Sequence, residues 1–458
     1  MNLFFVVFAI GSALAALQKY IFGIFGGATN TALPDPNVDP FYKVPSSIAS
    51  YQPGEVISSR EVITHIDKSY YNKSFQILYR TQNTAQEPDA TVATLWWPKE
   101  PVYPAKVLSL HVFTDSAQLN CNPSWAFLKE TASQNVLTTT VDAPFYVEWA
   151  LWKGYYVVAP DYLGSVSAFN AGYQEGYAVL DGLRATLNFN KLDKDSELVM
   201  FGYSGGAHAT VWAANLANEY ATELNIIGTA HGGTPVDTRG IYNNLMGSVW
   251  SGIAGAGLSG LAKAYPDFNE YLMSLLTEKG KKHLDQVSAP NVCLMQIVFG
   301  FPYKDFSSET TLKTIPLDDE IPKKFLQRES LLKNVSAKAV NIPKFPTFQY
   351  HAQLDEIVPR NNHEQFIEQQ CEEGAKIQYE VLPLQDHLTT VILGVPVAIR
   401  ALSQLFDGTL DTSRCGKSSQ QPIINPDSAE VDEIMGSLAA ARLRKFNGKD
   451  TPLAKFSW

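Results

Sequence analysis

The sequence predicts an α/β fold: a mostly parallel central sheet interrupted by a helical insertion. Three observations lead there. Short apolar runs rich in Val, Ile and Tyr recur along the chain, as strands buried on both faces should. Helical patterns lie between them, and alternating strands and helices imply parallel pairing through crossover connections. A gap of more than a hundred residues then separates the sixth and seventh runs, and it is too apolar to be a disordered loop.

Taken in order, the β-type runs are Phe75–Arg80, Thr91–Trp97, Lys106–Phe113, Tyr155–Pro160, Leu198–Phe201 and Ile226–Ala230, then Phe348–His351 and Ile377–Leu382. Glu175–Asn190 places Val179, Leu180, Leu183 and Leu187 on one helical face, and the Ala-rich stretch Ala207–Leu224 reads as a buried helix. Inside the gap, Ser248–Tyr265 carries Gly252, Gly255, Gly257 and Gly260 among apolar residues, which suits close helix packing or a crevice. Phe268–Val287 reads as one amphipathic helix with Leu272, Leu275 and Leu276 on its apolar face. The expected organisation is a leader at 1–15, a draped Pro-, Ser- and Asn-rich extension at 16–60, a core at 61–235 and 341–458, and a helical cap or lid at 236–340.

Composition narrows the class. The 458 residues are 45% hydrophobic, enough for a sizeable core, and the net charge of −10 argues against a nucleic-acid partner. Leu3–Ala16 is an apolar run too short to span a membrane, ending in Ala13-Leu14-Ala15, the small-x-small pattern of a cleaved signal peptide. An uncleaved anchor is the alternative, since the segment before the run has no Lys or Arg. The sequons at Asn72 and Asn334 fit passage through a secretory pathway and are candidate glycosylation sites. In an exported protein the four cysteines should oxidise, with three pairings open. No Cys-x-x-Cys occurs, so a zinc site has no support, and no obligate protein partner is indicated.

The strongest chemical signal is Gly202-Tyr203-Ser204-Gly205-Gly206 between a strand and a helix. The glycines let the backbone turn sharply and lift a serine oxygen above the sheet, which is the nucleophile elbow of α/β-hydrolases. Serine is a weak nucleophile, so it needs a base and an acid to orient that base, each following a later strand. His387 and Asp355 stand at those places. His351 lies within a strand, His363 at a polar helix start and His208 on the elbow helix, so each is assigned a structural or solvated role; Glu356 is the alternative acid. The oxyanion donors are expected at the N–H of Gly205 and, in the loop after the third run, the backbone N–H of Asp115. His231-Gly232-Gly233 follows the nucleophile and is read as a tight turn opening the cap.

These motifs, together with Asp39-Pro40-Phe41-Tyr42, Pro53-Gly54-Glu55-Val56, Gly172-Tyr173-Gln174-Glu175-Gly176-Tyr177, Asp181-Gly182-Leu183-Arg184, Gly233-Thr234-Pro235 and Asp355-Glu356-Ile357-Val358-Pro359, resemble the secreted yeast and fungal lipase family. The likeness runs from about residue 38 to the C-terminus. It implies triacylglycerol lipase activity, a cap holding an acyl tunnel, a mobile C-terminal flap, and disulfides Cys121–Cys293 and Cys371–Cys415. The expected function is therefore a secreted serine esterase acting on long-chain lipid esters at an oil–water interface, without metal or organic cofactor. Acyl transfer to another alcohol would use the same site. A serine peptidase on this fold and a catalytically idle binding protein are the competing readings.

Overall fold

The computed structural model describes residues 33–131, 140–332 and 341–446. The leader and the sequon at Asn334 lie outside them; Asn72 is exposed on a strand. Ten strands form one sheet: β1 (Val56–Glu61), β2 (Tyr71–Gln82), β3 (Pro88–Pro98), β4 (Lys106–His111), β5 (Tyr156–Pro160), β6 (Glu197–Tyr203), β7 (Ile226–Gly232), β8 (Thr347–Ala352), β9 (Ile377–Leu382) and β10 (Ser418–Gln420). Their order is β1-β2-β3-β5-β4-β6-β7-β8-β9-β10. The first three pair antiparallel, and β3 meets β5 antiparallel. From β5 to β10 every pairing is parallel.

Two strands escape the sequence pattern. Val56–Glu61 falls in the stretch that composition assigns to a draped extension, yet it is the edge strand β1. None of its six residues is buried, as suits an edge open to water, so it lacks the apolar alternation of a half-buried strand. β10 is three polar residues, too short for any periodicity.

The central strands are buried on both faces. Along β6, Leu198 and Met200 point into one apolar cluster while Val199 and Phe201 point into the other. Helices Ala143–Trp152 and Val395–Phe406 cover the second face, and Gly172–Asn190 with Gly205–Tyr220 covers the first. The C-terminal helix Ser437–Phe446 is held to the core where Arg442 clasps the buried Glu148 at 2.7 Å.

The segment between β7 and β8 is helical: Thr238–Leu245, Ser251–Ala264, Pro266–Leu275, Glu278–Val287, Leu294–Gly300 and Glu320–Arg328. The single helix expected over Phe268–Val287 is two. Thr277 starts the second by accepting from the Gly280 N–H at 3.2 Å, and the backbone there pairs with Glu309 and Thr310, which stops the first.

Both disulfides implied by the resemblance form, Cys121–Cys293 and Cys371–Cys415, and no described cysteine is free. The first ties the loop after β4 to the cap across a separation of 172 residues; the second spans 44. Loop entropy assigns them about 5 and about 4 kcal/mol, before any native-state strain. Replacing Cys121 and Cys293 together by Ser should therefore lower the melting temperature more than replacing Cys371 and Cys415, and the native protein should titrate no thiol.

Candidate active site

The chain order reverses its direction across the sheet at β4 and β6. β4 leads to β5 on one side, whereas β6 leads to β7 on the other, so their C-terminal ends border a crevice. Ser204 stands at the end of β6 and Asp115 four residues past the end of β4. Ser204 has φ 54° and ψ −123°, the strained turn that the flanking glycines make affordable. A Cβ on Gly206 would lie 1.9 Å from the carbonyl oxygen of His111, and one on Gly202 would lie 2.2 Å from that of Gly206. Only glycine lets the helix Gly205–Tyr220 start this close to the sheet.

His387 and Asp355 arrive from loops after β9 and β8. His387 Nε2 is 2.8 Å from Ser204 Oγ, and its Nδ1 is 2.7 Å from Asp355 Oδ2. Three side chains separated by more than 180 residues thus form one hydrogen-bonded chain. Asp386 caps the helix that begins at His387 by accepting from the Thr389 N–H at 2.8 Å. Tyr203 donates to the His387 carbonyl at 2.8 Å, and Gly233, at φ 56°, lies beneath the imidazole, where a Cβ would come 2.9 Å from Cε1. The turn after β7 therefore serves as the floor of His387.

Glu356 does not reach the imidazole. It accepts from the His387 backbone N–H at 2.8 Å, and burial pushes its carboxyl up to about 7. Asp355 behaves oppositely. Burial acts to raise it, but the imidazoles of His387 and His351 outweigh that and hold it well below the usual carboxylate range. For His387, burial acts to lower the pKa, and Asp355 with Glu356 and Asp115 turns the net shift upwards.

Asp115 has φ 45° and folds its carboxyl over Gly205, where a Cβ would meet Oδ1 at 2.2 Å. Burial pushes that carboxyl up to about 7. Gly205 opens the elbow helix, so its N–H has no intrahelical partner and faces the crevice beside Ser204. The loop carrying Asp115 is pinned to the cap by the Cys121–Cys293 bridge, by Ser116 donating to the Val292 carbonyl at 3.0 Å, and by Asn120 with Asn291 at 2.7 Å.

Ser204, His387 and Asp115 line one large cavity, roughly 1190 Å³ including its open part. The cap supplies most of its wall, with Trp250, Ile253, Leu258 and Leu261 among the apolar residues. Of the four glycines in Ser248–Tyr265, only Gly257 borders the cavity. A Cβ there meets nothing closer than Asn170 at 3.7 Å, whereas Gly252, Gly255 and Gly260 would strike Ile297, Phe306 and Phe169. Close packing, and not channel space, explains those three.

Three histidines read from sequence as structural or solvated are more closely engaged. His208 borders the cavity, with Nδ1 2.7 Å from Glu175 and Nε2 accepting from Trp212 Nε1–H at 3.0 Å. His351 and His363 are fully buried behind Asp355, and His351 Nε2 lies 3.1 Å from Asp355 Oδ2. The four-residue spacing of His351 and Asp355 was the available signal. Among the described residues, no group of three or more His, Cys, Asp and Glu is arranged to hold a metal ion.

A family profile described as secretory lipase matches residues 128–413. The chain is 41% identical over 453 residues to Lipase A of Moesziomyces aphidis, covering 98% of this chain and 97% of that protein. The chain belongs to the secretory lipase family. It is also 33% identical to the secreted triacylglycerol lipase LIP1 of Malassezia furfur, over 91% of this chain and 86% of that one. The crystal structure of Candida antarctica lipase A in its closed state superposes with a TM-score of 0.88 at 40% identity, covering 92% of this chain and 98% of that chain. The fold is accordingly that of the α/β-hydrolases, and this secretory lipase is an extracellular enzyme.

Buried carboxyls dominate the expected response of the lipase to pH. Asp115, Asp142, Glu148, Asp161, Glu329 and Glu356 are each pushed up to about 7, with burial the first cause in every case. Unfolded, they titrate near about 4. The stability they contribute is present below about pH 4 and lost as pH rises through about 7. Asp355 has the opposite sign: its contribution is present above about pH 4 and lost in stronger acid. Buried His65, His111 and His231, pushed down to about 3, also oppose the carboxyls below about pH 6.5. Thermal unfolding across a pH series should therefore show a melting temperature that declines from about pH 6.5 to about pH 8. A melting temperature that climbs over that interval would contradict the assignment.

Proposed function

We propose that the enzyme hydrolyses carboxylic esters of long acyl chains, triacylglycerols among them, through an acyl-enzyme intermediate. The observation that carries this reading is the hydrogen-bonded chain from Ser204 through His387 to Asp355, opening into a large apolar cavity under the cap. Ser204 Oγ attacks the ester carbonyl while His387 Nε2 takes its proton. His387 returns that proton to the departing alcohol, then activates water to release the acid. Asp355 accepts from Nδ1–H, which keeps Nε2 free as the base in the resting enzyme. The Gly205 and Asp115 amides receive the oxyanion. An alcohol in place of water would give acyl transfer.

The physiological substrate is proposed to be lipid ester presented at an oil–water interface, with the acyl chain drawn into the cavity. Export by a leader ending near Ala15, and a glycan on the exposed Asn72, belong to the same proposal.

Ser204→Ala should lower ester turnover by at least about three orders of magnitude without unfolding the protein. His387→Ala should do much the same, and the double variant should be hardly worse than either. Asp355→Asn should be severe and Glu356→Gln mild. Near-normal turnover by purified Ser204→Ala would end this reading, and the reverse ranking of the two acids would move the acid's role to Glu356.

The cavity wall yields a second expectation. Gly257→Phe should turn preference towards shorter acyl chains, measured on a series of p-nitrophenyl esters, because the new ring enters open space. Gly252→Phe should instead lower the melting temperature and all activities together, because its side chain meets the Ile297 backbone. A uniform loss across chain lengths for folded Gly257→Phe would remove this glycine from the acyl channel.

A further inference from the structure

Behind the acid lies a closed row of polar side chains that the reaction as described does not use. Gln349 and His351 are two residues apart on β8, so they share a face of the sheet, and His363 on the helix Arg360–Glu372 packs against that face. All three are completely buried. The His351 Nε2–H is shared: it donates to the Val358 carbonyl at 3.2 Å and stands 3.1 Å from Asp355 Oδ2. Both are acceptors, so Nε2 must carry a proton. His351 Nδ1 stands 2.8 Å from His363 Nδ1, a contact in which one nitrogen donates and the other accepts. A neutral His351 protonated on Nε2 can only accept there, which puts the proton of His363 on Nδ1 and leaves its Nε2 bare.

The far end of the row closes the assignment. His363 Nε2 lies 2.7 Å from Gln349 Oε1, and Gln349 Nε2 has no partner among the described residues; a half-turn of the amide exchanges the two atoms. With the amide NH2 turned towards His363, the bare nitrogen gains its donor, while the second amide N–H and the amide oxygen have no partner among the described residues. Every bond in the row then points the same way: Gln349 to His363, His363 to His351, His351 to Asp355. Asp355 receives it as the last of four donors. Its Oδ1 already accepts from the Ile357 and Val358 N–H groups at 3.1 and 2.7 Å, and its Oδ2 from His387 at 2.7 Å.

We propose that His351 is a positioning residue for ester hydrolysis: its Nε2–H holds the Asp355 carboxylate on His387, and His363 and Gln349 impose the tautomer that makes this possible. The proposal rests on the reading of Asp355 as the acid of the triad. Without the fourth donor the carboxylate can rotate about its side chain, and its charge is concentrated on the imidazole. The other ionisable groups near the row are Glu356, Asp115 and Tyr203, which face His387, His231 and Tyr379, which face His363, and Asp386 beside His387.

The test uses the full-length secreted protein. In the wild type labelled with 15N-histidine, His351 should show a protonated Nε2 and a bare Nδ1, and His363 a protonated Nδ1. A bare Nε2 on His351 overturns the proposal, whatever any variant does or fails to do. With p-nitrophenyl butyrate, His351→Phe should lower kcat by about tenfold or more at unchanged KM. It should also move the acid limb of the kcat/KM profile upwards, because a carboxylate with one donor fewer binds the imidazolium more tightly. His351→Gln, which keeps an N–H at similar reach, should recover most of the rate. A merely structural His351 would lower the melting temperature, leave the acid limb in place and be rescued no better by Gln than by Phe; that pattern also overturns the proposal. Failure of the triad itself reads differently, as an Asp355→Asn variant that stays active while the nitrogen spectrum is as expected.

Discussion

The close approach of the elbow helix to the sheet is the constraint on which the rest of the site depends. Ser204 occupies a backbone conformation that costs on the order of 1–3 kcal/mol in a residue with a side chain. That cost is tolerable because Gly202 and Gly206 remove the atoms that would collide with the neighbouring backbone. Once the helix is seated there, its N-terminus and its unpaired first N–H groups lie beside the crevice between β4 and β6. Ser204, His387 and Asp355 are then hydrogen-bonded in a chain at a point fixed by sheet geometry.

The cap is attached to that point more firmly than a loosely hinged cover would be. The Cys121–Cys293 bridge joins it to the loop that carries Asp115, so the same covalent link steadies that loop and the wall of the cavity. On another side, Glu329 accepts from the N–H of Gly172, at the start of a core helix, and from the Tyr265 hydroxyl at the end of a cap helix. Burial holds the Glu329 carboxyl near about 7, and Asp115 likewise. The segment between β7 and β8, the loop carrying Asp115 and the core thus share carboxyls that are pushed up to the same pH range.

Asp355 illustrates how a buried charge is made acceptable. A lone ionised carboxylate in this position would be far too costly, and such a group would ordinarily take up a proton. Four donors surround it instead. Glu356, one residue away, has no comparable set and is pushed towards its neutral form. Adjacent residues of the same chemistry acquire opposite characters because Asp355 is met by several donors and the buried Glu356 accepts one hydrogen bond, from the His387 N–H.

Much of this enzyme was determined by local sequence. Buried parallel strands show as short apolar runs, and the elbow shows as glycines two before and two after a serine, because both requirements act within a few neighbouring residues. The order of Ser204, Asp355 and His387 followed from the same local logic, each residue standing just past a strand. What the sequence left open were matters of long-range contact. Gly252 and Gly257 are indistinguishable by pattern, and only packing against Ile297 or open space separates them. The polar edge strand β1 shows no apolar alternation because none of its residues is buried. His351 and His363 read as ordinary buried or solvated histidines, since their significance arises only when a strand and a helix bring them into line with Asp355. Periodicity reports which face of an element is covered; it carries no information on what covers it, and that was decided by the tertiary structure.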